Sequence, residues 1–362
     1  MSLLSYFSKI CRRVWFVTHR RSLGYAGIAA VALTAWMLSL AYQEVRTQRV
    51  LPNNAEFSQS SLLPQRQTVQ FARQRPTTEF DLSASIVPKN ELHSGGPPKD
   101  GIPALTNPKF ITSRAATYLQ PADRVIGVVV ANQAKAYPLK ILNYHEIVND
   151  RFGDTPVAVI YCPLCDSCTA FNRRTEQGEL EFGVSGLLYN SNVLMFDRGG
   201  QPEGLWSQIM ARGITGPSAR VGLLPLPLEL TTWKEWLSQH PNSLVLSSQT
   251  GHQRNYNRSP YGDYFSTPRL MFPVKQTDNR LPAKARVLGV WTDTTAKAYP
   301  ESYFAPGRQR VEDIVDGKKI VIQYNNAAKS MRVVEADQGV QWMYSLWFAW
   351  YAFHPETEIV GR

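Results

Sequence analysis

The chain has 362 residues, a formal net charge of +10 and 43% hydrophobic residues. That length suffices for one large domain or two small ones with a real core. The charge alone would suggest a nucleic-acid partner, but the first 75 residues hold ten Lys and Arg against two acids, so the remainder is close to neutral. A nucleic-acid face needs its basic excess on the folded domain, which argues against that class.

In chain order, residues 1–22 carry Lys9, Arg12, Arg13, Arg20 and Arg21 and no acid. Leu23 to Ala41 follows without a charge. Nineteen residues span about 28 Å as a helix, close to a hydrocarbon core. Trp15, Phe16 and Tyr42 suit the two interfaces, and the positive-inside rule leaves residues 1–22 in the cytoplasm. The apolar run exceeds a signal-peptide core, and no small-x-small cleavage site follows it. Residues 23–42 therefore read as an anchor in the cytoplasmic membrane, with the main domain in the periplasm or outside the cell. Residues 43–78 are polar and lack apolar periodicity, as a tether does. The folded domain is expected over 79–362.

Within it, the Gly/Pro segment Ser94 to Pro103 predicts a shaped loop. Short β-branched runs predict strands over 124–130, 134–137, 156–161, 179–184 and 193–196. Thr232 and Glu235 fit an N-cap and its partner three residues on, with Trp233, Trp236 and Leu237 on one face and Pro241 limiting the helix. The apolar run from Trp342 to Phe353 is too short to cross a membrane and predicts one buried element. The expected class is α+β, predominantly β. An internal echo divides it: Arg124-Val-Ile-Gly127 and Ala134-Lys-Ala-Tyr-Pro138 recur as Arg286-Val-Leu-Gly289 and Ala296-Lys-Ala-Tyr-Pro300, and Ile147-Val148-Asn149-Asp150 is echoed by Ile314-Val315-Asp316. Two related β-rich units from a duplication are expected, about 79–230 and 270–362.

Chemistry concentrates in the first unit. Cys162-Pro163-Leu164-Cys165 follows the apolar run Val157 to Tyr161, and His145 lies upstream. Two thiols at this spacing close on one metal ion or on each other. With His145 they make a soft three-ligand set that suits copper(I), or zinc with an open position. His93 and His354 are further candidate ligands. Thiol redox chemistry is the second reading, with Cys168 as a resolving thiol. A structural staple between Cys162 and Cys165 in a non-catalytic cell-envelope binding module is the third. Glu146 and Asp150 are candidate bases or partners of the imidazole. Alternatively, Asn149 to Gly153 forms a simple turn. Asn190, Asn192, Trp206 and Gln208 are candidate ligand-binding residues, together with Lys99 and Asp100 of the Gly/Pro segment.

Several blocks resemble one prokaryotic family of unknown function, DUF3179. They are Gly95 to Pro103, His145 to Asp150, Tyr161-Cys162-Pro163-Leu164-Cys165, Phe182 to Asn192, Leu205 to Gln208 and Phe348 to Pro355. They occur in order from about residue 80 to the end. The resemblance implies an exported or membrane-attached protein and carries no activity with it. It does not extend to Cys168.

Overall fold

The computed structural model describes residues 80–304 and 307–361. The basic segment, the anchor and the tether expected over residues 1–78 lie outside these. Among the described residues no helix is long and apolar enough to cross a membrane. The fold is β-rich α+β, as the alternating short runs predict.

Arg124–Val130 (β1) and Gln133–Pro138 (β2) form an antiparallel hairpin closed by Ala131 and Asn132, both at positive φ. Such a turn twists with its strands. Pro138 leads into a short helix, Leu139–His145 (α1). Glu146, at φ 56°, ends it and turns the chain into β3, Ile147–Phe152. The stretch from Asn149 to Phe152 is thus strand, and the turn comes only at Gly153.

Next comes β4, Thr155–Cys162, buried along nearly its whole length. Its side chains alternate between two cores: Val157, Val159 and Tyr161 enter one, and Ala158, Ile160 and Cys162 the other. Because both faces are covered, the strand reads as a continuous apolar run. The turn Pro163 to Asp166 leads into β5, Ser167–Asn172.

A second sheet is built on β6, Phe182–Tyr189, β7, Asn192–Asp197, and β8, Leu205–Ser207. β6 begins at Phe182 and not at Glu179, because Gly178 and Glu179 pair with Thr175 and Arg174 in a separate small ribbon. Then follow β9, Leu228–Thr232, the helix Trp233–Gln239 (α2) and β10, Leu244–Leu246. The Thr232 hydroxyl accepts the Glu235 N–H at 3.3 Å, so the predicted cap is present. Strands β9, β1, β2 and β10 lie side by side in that order.

The C-terminal part contains β11, Arg286–Trp291, β12, Ala296–Pro300, a helical turn Glu301–Phe304 (α3), β13, Arg310–Val315, β14, Lys318–Asn325, β15, Ser330–Ala336, β16, Gln341–Leu346, α4, Trp347–Phe353, and β17, Glu358–Ile359. The apolar run 342–353 divides at Leu346. Its first part pairs with β11 as strand β16, and the rest is helix α4. One nine-stranded sheet has β3, β4, β5, β16, β11, β12 and β17 as consecutive neighbours, with β5 and β16 meeting at Cys168 and Tyr344.

The β1–β2 and β11–β12 hairpins share several contacts. Lys135 Nζ lies 2.8 Å from Asp150 Oδ2, to which the Tyr137 hydroxyl donates at 2.6 Å. Lys297 Nζ lies 3.2 Å from Asp313 Oδ2, to which the Tyr299 hydroxyl donates at 2.7 Å. A Cβ on Gly127 would come 2.1 Å from the Trp236 ring, and one on Gly289 2.3 Å from that of Trp350. The Trp236 indole lies against the His240 ring at a tilt and the Trp350 indole stacks on His354, and the two donate to Ser243 and Thr357. The acid that plays the part of Asp150 is Asp313, three residues before the Asp316 suggested by the sequence echo.

Candidate functional site

The two thiols of interest sit where β4 ends. Pro163 fixes the backbone at the first corner of the turn. The Cys165 N–H then donates to Cys162 O at 3.2 Å, and Asp166 leaves the turn at φ 45°. Opposite stands the β6–β7 hairpin tip, Asn190-Ser191, with both residues at positive φ. This tip aims the Ser191 carbonyl at the thiols. Cys165 Sγ donates to it at 3.2 Å, and Cys162 Sγ lies 4.0 Å from it. Both cysteines are buried and unbridged. Burial pushes the Cys165 thiol well above its ordinary range, and the adjacent Cys162 adds to the shift.

His145 does not join them. A carbonyl only accepts, so its Nδ1–H donates to Pro103 O at 2.7 Å. That leaves Nε2 to accept the Tyr256 hydroxyl, also at 2.7 Å. No ring nitrogen keeps a lone pair for a metal. Burial lowers the imidazole to about 4, which matches this neutral tautomer. Among the described residues no group of three or more His, Cys, Asp or Glu side chains is placed to hold a metal. The expected three-ligand set is therefore reduced to its two sulfurs.

A strap without regular strands, residues 247–285, crosses this end of the domain and places three tyrosines there. Tyr256 holds His145. The Tyr261 hydroxyl donates to Glu146 Oε1 at 3.2 Å, and that of Tyr264 to Leu164 O, inside the Cys162–Cys165 turn, at 2.9 Å. Lys284 ties the strap to itself through the carbonyls of Tyr264, Thr267 and Arg269. Phe272 and Leu281 of the strap enter the same apolar cluster as both cysteines. Burial raises the Glu146 carboxyl to about 7. Sequence reasoning passed over these tyrosines because a segment without periodicity gives no face to read. Their only signal was the run Tyr256, Tyr261 and Tyr264 around Pro260 and Gly262.

The other candidates fall into separate places. Cys168 enters the opposite core, so the sheet stands between it and the pair. Burial raises its thiol too. Asp150 is taken up by Lys135 and Tyr137. Asn192 and Gln208 join Ser167 in a buried network behind the thiols: Asn192 Nδ2 donates to Gln208 Oε1 at 2.8 Å, as does the Ser167 hydroxyl. Asn192 Oδ1 and the Ser191 hydroxyl have no partner in it. Asn190 pins the strap by accepting the Lys275 N–H at 2.9 Å. Trp206 is fully buried in the thiol cluster, edge-on to Phe182. Lys99 and Asp100 pair with Glu203 and Arg198 and clasp the Gly/Pro loop to the second sheet. His93 lies on an edge strand beside β6, and His354 stacks on Trp350.

One residue missed from the sequence takes an arginine from each of two sheets. Asp166, directly after Cys165, takes Arg124 Nη1 at 2.8 Å and Arg286 Nε at 3.2 Å. Burial works to raise this carboxyl, but the two guanidiniums and the Tyr161 hydroxyl outweigh it and hold it below the usual range. Arg124 and Arg286 are the first residues of the echoed blocks.

A β-rich α+β domain with a buried, unbridged cysteine pair under a tyrosine strap is what these elements define. The family described as "Protein of unknown function (DUF3179)" matches residues 99–344, and the chain belongs to that family. No curated protein and no solved structure matches the chain.

Proposed function

We propose that this is a membrane-anchored extracytoplasmic protein whose Cys162–Cys165 pair binds a soft monovalent metal ion of the copper(I) type. The observation that carries the reading is the convergence of both sulfurs on Ser191 O within a buried apolar cluster, without a third ligand among the described residues. Zinc sites use three or four protein ligands, and the described residues offer two here. Thiolates select soft copper(I), so the donor set fits that ion better. Such an ion would supply soft-metal handling, or one-electron chemistry, at the pair. The chain's own part is to hold the sulfurs side by side, to give up thiol protons on binding, and to keep water out with Tyr261, Tyr264 and Phe272. Thiol redox work is supported less, because a strand and not a helix N-terminus follows Cys165. The staple reading has no bridge to support it.

The charge asymmetry around residues 23–42 supports the anchor and the outward placement of the domain. The matching Lys–Asp–Tyr and Gly–Trp–His contacts support descent of two units from one, with metal chemistry kept in the first.

The test is copper(I) titration of the full chain in detergent under reducing conditions, against a chromophoric competitor. Wild type and Cys168→Ser should each take one equivalent, and Cys162→Ser and Cys165→Ser should lose it. Equal uptake by wild type and Cys162→Ser would remove the reading.

A further inference from the structure

A second feature lies apart from the thiols and shares no residue with them. Between β9–α2 on one side and β14–β15 on the other is a groove of about 400 Å³. Its walls include the carboxamides of Gln239, Gln309, Gln323 and Asn326, and its other members include Glu229 and Arg332.

On one wall the hydrogen-bonding capacity is largely uncommitted, while on the other Gln239 Nε2 donates to Glu235 Oε1 at 3.0 Å and leaves its carbonyl oxygen as the group it can offer. Among the described residues, the Gln309 and Asn326 side chains have no hydrogen-bond partner. Gln323 commits only its Oε1, to Arg332 Nη2 at 2.9 Å, and keeps both amide hydrogens. Each carboxamide offers donors and acceptors side by side, as a hydroxyl also does. Glu229 forms the floor, 7% exposed. Burial lifts its carboxyl to about 7, so near neutrality it also donates as well as accepts. The nearby charges of Glu235 and Arg332 offset each other. A groove for an ion would carry one dominant sign, and a groove for an apolar ligand would show bare hydrocarbon. This one is electrically balanced and rich in paired donors and acceptors. Its volume falls within the range of small-molecule pockets.

From the free carboxamide groups of Gln309, Gln323 and Asn326, the buried Glu229 floor and the balanced charge, we infer that this groove binds a neutral saccharide of one or two rings through its hydroxyls. The ligand would be contacted by Gln309, Gln323 and Asn326 from one wall, Gln239 from the other and Glu229 beneath.

Saturation-transfer NMR on the full chain in a sugar-free zwitterionic detergent tests this. The probes are glucose, N-acetylglucosamine, maltose and chitobiose. At least one should bind with a Kd below about 10 mM. Asn326→Ala and Gln323→Ala, both at exposed positions that leave the fold intact, should each weaken it about fivefold to tenfold. Glu229→Gln, which keeps size and both hydrogen-bonding roles, should retain binding within about threefold. Absence of binding by all four sugars overturns the proposal. So does binding that both exposed variants leave unchanged.

Discussion

The two Lys–Asp–Tyr clusters make the same kinds of contact at comparable distances, yet they sit in different surroundings. Lys135 and Asp150 are each 7% exposed at the side chain, and the ammonium lies 4.3 and 4.6 Å from the ring centres of Phe110 and Phe152. Lys297 and Asp313 are 15% and 26% exposed. One contact pattern thus spans two dielectric regimes. A charge pair buried between aromatic rings has no water to fall back on if one partner is removed, and a half-exposed pair does. The more deeply set cluster fixes β3 against β2, and β3 pairs along its length with β4, the strand that ends in the thiols. In the second region the matching strands end in Asn325 and a surface turn.

The largest effect should come from removing one acid from each cluster. Asp150→Ala strands Lys135 in the core and should cost about 3–5 kcal/mol. Asp313→Ala should cost about 1 kcal/mol or less, since its lysine can be resolvated. Urea denaturation of the two variants measures this directly, and equal losses would break the contrast. By comparison, Gly127→Ala and Gly289→Ala should behave alike. Each Cβ meets a buried indole with a histidine ring against it, so a loss of about 1–3 kcal/mol is expected at both. A loss at only one would show that the two Gly–Trp contacts are not equivalent.

A smaller, pH-dependent effect belongs to the first region. The Glu146 carboxyl rises from its ordinary 4.5 to about 7 on folding, because of burial, against a lowering by the Tyr261 hydrogen bond. A raised acid favours the folded state most below its unfolded pKa, and that contribution is lost as pH rises through the folded value. The Glu146 contribution should therefore fall between about pH 4.5 and about pH 7, with Glu229 adding a slope of the same sign, while the imidazoles of His145 and His354, lowered by burial to about 4, add the opposite slope between about pH 4 and pH 6.5. Glu146→Gln should flatten the part due to Glu146, as read from denaturation midpoints across that range. A slope unchanged by this substitution would contradict the assignment. The smallest effect is Thr232→Ala, which should cost about 1 kcal/mol through loss of the α2 cap.

Much of this architecture was legible in the residues. β1 has the bounds that its β-branched run predicts, and the Thr232 cap holds at its expected atom. Both signals are local, and local chemistry decided them. The run from Trp342 to Phe353 was misread as one element, because uniform apolarity carries neither period and only pairing with β11 divides it. The candidate site was half legible. The Cys162–Cys165 turn follows from its spacing and its proline. The bonding of His145 to Pro103 and Tyr256 does not, since those partners lie 42 and 111 residues away in sequence. Asp166 was passed over for a similar reason: its two arginines lie 42 and 120 residues away, on strands of two different sheets.

The central claim is that two sulfurs, and no imidazole, make the metal centre. X-ray absorption at the copper edge of the copper(I)-loaded full chain tests it most directly. The account predicts a first shell of two sulfur scatterers, unchanged by His145→Phe. A nitrogen scatterer that disappears in that variant, or no copper taken up at all, would contradict it.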